Sequence, residues 1–318
     1  MTMNDVNTMR AISQDVLGGP EVLKEVTVER PTPRPNEVLV RVRAAGVNPT
    51  DWKHRATGGF LGEPPFVLGW DVSGEVAATG IGVAAFRPGD EVFGMLPYPF
   101  GHGSHAEYVI APVRALTHKP AAIDHVQAGA LPLVSLTAWQ ALTEHAGLRS
   151  GQRVLIHAAA GGVGHVAVQI AKALDAYVIG TASAGKHDFL REIGVDEAVD
   201  YRSTDFTQAV RDVDVVLDTL GGETSVRSLE VLRPGGIVVS ILPVGGQDFL
   251  DEAERLGVRA VRMLVDADRA GMREVARMAE AGQLKATIAG TFPLAEAAKA
   301  HELGDTGRTT GKLVLLAD

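Results

Sequence analysis

Two hydrophobic periods divide this chain. Up to about residue 123, apolar and polar positions alternate over short runs such as Glu37-Val-Leu-Val-Arg-Val-Arg43 and Val72-Ser-Gly-Glu-Val-Ala77, separated by the turn clusters Pro31-Thr-Pro-Arg-Pro35 and Arg87-Pro-Gly-Asp90. This predicts a β-rich region of short strands. From about Asp124, helical patterns alternate with brief apolar runs at Val154 to His157, Ala176 to Gly180, Glu197 to Val199, Val213 to Leu217 and Gly236 to Ser240. Strands separated by helices imply βαβ units and a parallel sheet, because parallel neighbours need a crossover. A further run, Val258 to Leu264, predicts an edge strand open to pairing with a second copy of the chain. The tail returns to mixed texture, with a helix near Arg269 to Ala281 and apolar runs at Lys285 to Ala289 and Lys312 to Leu316. The expected organisation is a discontinuous first domain, residues 1–123 plus 267–318, with a domain of residues 124–266 inserted into it. The uncharged stretch Val126 to Thr143 contains Pro132, Gln127 and Gln140, so it predicts a buried helix rather than a membrane span.

One junction carries chemistry. In Val154-Leu-Ile-His-Ala-Ala-Ala-Gly-Gly-Val-Gly-His165 an apolar strand opens into glycines and then into the helical stretch Val166 to Leu174. Such a turn brings backbone N–H groups and the positive end of a helix dipole against a pyrophosphate. Gly161 is expected to make the tight turn, while Gly162, Val163 and Gly164 let the backbone approach the phosphates and pack helix on strand. A dinucleotide is the expected ligand. A site for NAD usually ends its second strand in a carboxylate that accepts from the ribose 2′-OH. Here that stretch reads Val178-Ile-Gly-Thr-Ala-Ser-Ala-Gly-Lys186, with no carboxylate before Asp188. Ser183 and Lys186, joined by Tyr201 after the next strand, suit a 2′-phosphate and favour NADP(H) over NAD(H). Leu220, Gly221, Ile241, Leu242 and Pro243 follow two successive strands and are expected to wall the nicotinamide, because ligands lie at the carboxyl ends of parallel strands.

Composition removes several alternatives. The net charge of −9 argues against a phosphate-backbone partner, so no nucleic acid is expected. The absence of cysteine removes disulfides, thiolate metal ligands and a cysteine nucleophile together. The opening Met1-Thr-Met-Asn-Asp-Val6 has no basic-then-apolar signal pattern, and a cytoplasmic location with no membrane partner is expected.

The motifs also occur in a family. Ala45-Gly-Val-Asn-Pro-Thr-Asp-Trp-Lys53, Gly69-Trp-Asp-Val-Ser-Gly74, Pro88-Gly-Asp-Glu-Val-Phe-Gly94, Gly103-Ser-His-Ala-Glu-Tyr108, Leu136-Thr-Ala138 and the glycine turn ending at Gly164 stand in the family's order. The chain resembles the zinc-independent, zeta-crystallin-like quinone oxidoreductase branch of the medium-chain dehydrogenase/reductase superfamily, over nearly its whole length. The resemblance implies a GroES-like β-rich domain with a Rossmann doubly wound parallel sheet inserted in it, and the open edge of that Rossmann sheet predicts a homodimer. In the zinc alcohol dehydrogenases of that superfamily a Cys, a His and a second Cys hold the catalytic metal. Those places fall at Asn48, Trp70 and about Leu133, none of which offers a thiolate or imidazole, so no metal is expected. His102 and His105 are read as a loop pair rather than as ligands.

Without a Lewis acid, oxidation of an unactivated alcohol is hard and reduction of an electron-poor acceptor is easier. The resemblance therefore implies an NADPH-dependent reductase of a quinone or an α,β-unsaturated carbonyl, with a small-molecule substrate in a dry cleft between the domains. A trans-acting enoyl reductase and an NADPH-binding protein with little turnover are the alternatives. Asn48 is expected to donate its amide to the acceptor's oxygen. Lys53 stands where many relatives carry a Tyr beside the nicotinamide, and is expected to donate a proton or to position cofactor and substrate. Thr137 is expected to face the cofactor, and Asp51 to cap the local turn.

Overall fold

The computed structural model describes residues 7–242 and 247–317. In chain order it forms β1 (Thr8–Gln14), β2 (Lys24–Glu29), β3 (Glu37–Val47), α1 (Pro49–Thr57), β4 (Phe66–Val67), β5 (Asp71–Thr79), β6 (Glu91–Met95), β7 (Tyr108–Pro112), β8 (Leu116–His118), α2 (His125–Ala130) and α3 (Pro132–Trp139). Alternation follows: β9 (Arg153–Ile156), α4 (Gly162–Ala173), β10 (Tyr177–Ala182), α5 (His187–Glu192), β11 (Glu197–Asp200), α6 (Phe206–Ala209), β12 (Val213–Asp218), α7 (Glu223–Ser228), β13 (Leu232–Ser240), α8 (Gln247–Arg255) and β14 (Arg259–Arg262). The tail adds α9 (Arg269–Glu280), β15 (Ile288–Pro293), α10 (Ala297–Asp305) and β16 (Lys312–Leu316).

These elements fall into two compact units, Met1–Leu133 with Asp266–Asp318, and Val134–Val265. In the first, β3 is the organising strand. Its early residues pair with β7, its length pairs with β5, and Ala44 to Val47 pair with β16 from the end of the chain. The sheet runs β15-β16-β3-β5-β6-β8, and a smaller sheet runs β2-β1-β4. Pairing of β16 with β3 is what makes this unit discontinuous in sequence.

The second unit was expected to begin at residue 124 and begins at Val134. The reason is α2, which belongs to the first unit: the Gln127 amide donates to Ala286 O and accepts from Ala286 N, both at 2.9 Å. The uncharged stretch is also broken where the single helix was expected to continue. Pro132, which has no N–H to give, opens α3, and a π-helical turn over Gln140–His145 follows.

The second unit is a sheet of order β11-β10-β9-β12-β13-β14, every pair parallel. Its inner strands β10, β9, β12 and β13 are buried over most of their length, as a sheet covered on two faces requires. Leu155, Ile179, Val216 and Val238 pack with Phe206 and Phe249 in one buried cluster. The run around Val261 forms the edge strand β14, and no helix among the described residues is long and apolar enough to cross a membrane.

Contact between α4 and the turn before it depends on Gly164, where a Cβ would lie 2.3 Å from Ala158 O and 2.7 Å from the Ala159 Cα. Backbone cannot move aside as a flexible side chain can. Gly164→Ala should therefore destabilise the protein by about 1–3 kcal/mol. Thermal unfolding reads this as a lowered midpoint, and an unchanged midpoint would contradict the packing.

Candidate active site

The glycine turn expected to face the phosphates is built on β9. Ala158 takes the left-handed conformation at φ 47°, while Gly161 has an ordinary φ of −79° and serves as the N-cap of α4. The tight turn expected at Gly161 is thus made at Ala158. It is held there because Ala158 N donates to Thr181 Oγ1 (3.1 Å), Ala159 N donates to Thr181 O (2.9 Å), and Ala158 O accepts from Gly161 N (2.8 Å). Gly162, Val163 and Gly164 make the first turn of a twelve-residue helix that no side chain caps. Their N–H groups have no acceptor a turn earlier in the helix, so this terminus can receive an anion.

Two neighbouring strand ends form a corner. β10 ends at Ala182, paired with Asp200 at the end of β11. Ser183 and Lys186 follow the first strand, Tyr201 the second, and Tyr201 N reaches Ala182 O at 3.4 Å. Lys186 is half-buried; desolvation lowers its pKa and its interaction with Tyr201 opposes this, so the two side chains share one environment. The Asp200 carboxylate lies nearby but is occupied. It accepts from Arg202 N (3.1 Å), Ser203 Oγ (2.9 Å) and the backbone of Ala184, and these bonds hold it below the usual carboxylate range.

Asp218, at the end of β12 and fully buried, holds the next two strand ends. Its Oδ1 accepts from Leu220 N (2.9 Å) and Gly221 N (3.0 Å), and its Oδ2 from Ser240 Oγ (2.7 Å) and from Ser225 Oγ. Its carbonyl accepts from Ile241 N at 3.1 Å. The turn presents Leu220 half exposed, an apolar side chain on a fixed backbone. Leu242 O lies 3.2 Å from Ser240 Oγ, whose hydrogen goes to Asp218, and Pro243 lies outside the described residues. Thr137 is buried within α3.

In the first unit, α1 carries the other expected residues. Asn48 N donates to Asp51 Oδ2 (2.7 Å) and Gly69 N to Asp51 Oδ1 (3.0 Å), so Asp51 caps the turn as expected. Asn48 itself is 0% exposed. Its Nδ2 donates to Asp71 Oδ2 at 2.8 Å, and its Oδ1 accepts from Lys312 Nζ. The expectation of an accessible amide at Asn48 is corrected: both ends of the group are spent on internal partners. Lys53, by contrast, is exposed and its ammonium has no partner among the described residues.

The metal places of the zinc relatives are likewise filled by internal bonds. Trp70 Nε1 donates to Pro99 O (3.1 Å) and Leu133 N to Asp71 Oδ1 (2.6 Å). His102 Nδ1 lies 2.6 Å from Val67 O, His105 is buried near Asp51, and no His, Asp or Glu group among the described residues is arranged to hold a metal ion. Sequence reading missed Asp71, Lys312, Asp218 and His157. The available signal was a carboxylate closing an apolar parallel strand, as at Asp218.

The comparisons agree with this architecture. A family model described as an alcohol dehydrogenase GroES-like domain matches residues 34–121, and one described as a zinc-binding dehydrogenase matches residues 193–315. The chain is 32% identical to the mitochondrial NAD(P)H oxidoreductase RTN4IP1 of Danio rerio, over 88% of this chain and 84% of the relative. It is 35% identical to a 2-haloacrylate reductase of a Burkholderia species, over 94% and 96%. The solved quinone oxidoreductase of Coxiella burnetii superposes with a TM-score of 0.92 at 36% identity, covering 97% of this chain and 99% of that one.

The buried groups set a pH dependence. Burial holds His105 and His157 down to about 4 and His301 to about 2, and lowers His54 and His125 as well. It lifts Asp51 to about 7, with the charge of Asp71 adding to the rise. As pH falls from about 6.5 towards 4, the unfolded chain binds protons on imidazoles that the folded chain refuses. Asp51 and Asp71 act in the opposite sense, since burial raises both and their folded carboxyls keep a proton that the unfolded ones lose. The imidazoles outnumber them, so their contribution to stability is full above about pH 6.5 and is lost on acidification, by about 1.4 kcal/mol per pH unit for each net proton. The urea midpoint should be lower at pH 5 than at pH 7, and a level or rising midpoint on acidification would contradict this.

Proposed function

This chain belongs to the medium-chain dehydrogenase/reductase superfamily, alongside its quinone oxidoreductases, and is an NAD(P)H-dependent oxidoreductase; from that premise we propose an NADPH-dependent reductase of quinones or α,β-unsaturated carbonyls that works without zinc. The observation that carries the cofactor reading is the corner at Ala182. No carboxylate ends β10, and Lys186 and Tyr201 stand together beside it. A ribose 2′-phosphate placed there gains a charge-assisted contact where a carboxylate would repel it. The uncapped start of α4 receives the pyrophosphate, and the turns fixed by Asp218 supply an apolar wall at Leu220.

For the acceptor, the support is chemical. Asn48, Trp70 and Leu133 offer no thiolate or imidazole at the metal places, and a group that polarises an unactivated alcohol is not built from them. The bound nicotinamide would supply hydride. Lys53, exposed on α1 above the buried Asp51, is a cation available to a negative oxygen on the acceptor or to the cofactor, and Asn48 fixes the start of that helix. The relative named as a 2-haloacrylate reductase fits an activated alkene as acceptor.

Mixing the purified protein with NADPH and a panel of quinones, enones and enoyl thioesters tests the reading through loss of the NADPH absorbance. Turnover confined to enoyl thioesters would favour a trans-acting enoyl reductase, and tight NADPH binding with no turnover would favour a binding protein. For the cofactor, Lys186→Ala should weaken NADPH binding by about 1.5–3 kcal/mol and leave NADH nearly unaffected. Titration calorimetry with both nucleotides reads the difference, and equal losses would remove the 2′-phosphate assignment. The open edge at β14 is proposed to pair two copies, which light scattering would report as a dimer mass.

A further inference from the structure

The loop over residues 96–102 brings a phenol onto α1. Tyr98 Oη lies 3.0 Å from Thr50 Oγ1, and Thr50 Oγ1 lies 3.1 Å from His54 Nδ1. The protons along this chain can be assigned. His54 Nδ1 is 2.7 Å from Thr50 O, a carbonyl that can only accept, so Nδ1 carries the hydrogen. Thr50 Oγ1 therefore cannot donate to that nitrogen, and its own hydrogen goes to Tyr98 Oη. The phenolic hydrogen of Tyr98 is left without a protein acceptor among the described residues.

The ring that carries it is held on several sides. Trp70 packs at 5.3 Å and 60°, Phe60 at 6.1 Å and 88°, and His54 at 6.1 Å and 89° between ring centroids and planes. The loop is itself tied down, by Trp70 Nε1 on Pro99 O and by Leu96 N on Trp70 O at 2.7 Å. Tyr98 is half-buried, and the rings of Phe60, which packs on it, and of Phe100, two residues on in the same loop, are exposed. This is a fixed O–H donor among aromatic rings, held by Thr50 against α1.

We propose that Tyr98 is the proton donor of the reduction and that its substrate class is the α,β-unsaturated carbonyl, whose carbon must be protonated after hydride arrives. The proposal rests on the reductase reading above. Hydride added to the β-carbon leaves an enolate with its charge shared between oxygen and α-carbon. The Tyr98 O–H bond then breaks, the proton bonds to the α-carbon, and the electron pair stays on Tyr98 as phenolate. The hydrogen bond donated by Thr50 stabilises that phenolate until water returns a proton. In sum, NADPH, one proton and the enone give NADP⁺ and the saturated carbonyl compound. Burial, with the nearby Asp51 charge, raises the pKa of the phenol, so it stays protonated and ready at neutral pH, and the bond from Thr50 works against that rise. A quinone, protonated only on oxygen, has little need of such a donor.

The experiment is Tyr98→Phe with 2-methylcyclohex-2-enone, in which hydride goes to C3 and the proton sets the configuration at C2. The wild-type protein should give one enantiomer of 2-methylcyclohexanone in excess. The variant should lose at least about 10-fold in kcat, keep its NADPH affinity, and give nearly racemic product, because water then delivers the proton to either face. A merely structural tyrosine would not move the C2 configuration. Equal kcat and equal enantiomeric excess in the variant would overturn the role of Tyr98 alone. Failure of the wild-type protein to reduce any enone would overturn the reductase reading for this class and the donor role with it. If Tyr98→Phe does not fold, Thr50→Val keeps the ring and removes only the bond to the phenolate. It should lower kcat several-fold, and an unchanged kcat there would also overturn the proposal.

Discussion

The first unit depends on a buried cation. Lys312, 2% exposed at the start of the last strand, directs its ammonium to Asn48 Oδ1, to Val47 O at 3.1 Å and to Asp71 Oδ2 at 3.4 Å. Burying an ion costs several kcal/mol and is tolerated only where the geometry returns most of that cost. Here Asp71 also accepts from Asn48 Nδ2 and Leu133 N, and Asp51 from two backbone N–H groups, so the remaining lone pairs are largely used. One ammonium cannot neutralise two carboxylates. Burial raises the pKa of both carboxyls, that of Asp51 to about 7, and lowers that of Lys312. The network joins β3, β5, β16 and the starts of α1 and α3, closing a unit whose two parts are separated by more than a hundred residues of chain.

The same ammonium fixes an orientation. A lysine has donors only, so the group of Asn48 that faces it must be the oxygen, and the nitrogen must face Asp71. An equivalent argument holds in the second unit. Ser228 Oγ gives its hydrogen to Thr224 O at 2.6 Å, so it accepts from His157 Nε2 at 3.0 Å. His157 Nδ1 is then bare and faces Thr181 Oγ1, the oxygen that receives Ala158 N. The left-handed residue of the turn before α4 is thereby connected through a neutral imidazole to α7. Both units hold their candidate ligand-facing backbone with buried polar groups that have one consistent proton arrangement.

Much of the fold was legible because period is a local property. The parallel strands, the edge at β14 and the return of Lys312 to Leu316 to the first unit follow from apolar spacing and from the need for crossovers. The glycine turn was legible in kind but not in detail. Gly161 offered conformational freedom, yet the left-handed position is Ala158, because the bonds from Thr181, some twenty residues on, fix the backbone there. The network of Asp71 and Lys312 was illegible for a sharper reason. Its partners lie 241 positions apart, and a lysine opening an apolar run reads as the solvated end of a strand. Asp218 was the recoverable case, since a carboxylate closing a doubly buried parallel strand requires donors around it.

Helix α1 explains why Asn48 and Lys53, neighbours in one motif, have opposite surroundings. Asp51, His54 and Arg55 are buried, three and four residues apart, while Lys53, Ala56 and Thr57 are exposed at the same spacing. Arg55 locks the inner face, with Nε on Gly18 O at 3.1 Å, Nη1 on His301 Nδ1 at 3.1 Å and Nη2 on Asp305 Oδ2 at 2.9 Å. Because the guanidinium can only donate, His301 must present a bare Nδ1, which agrees with its pKa being held to about 2. The inward face therefore fixes where the helix lies, and the outward face carries the groups free to act. Division of labour by helical face, rather than by adjacency in sequence, separates the residues that hold this segment from those left exposed.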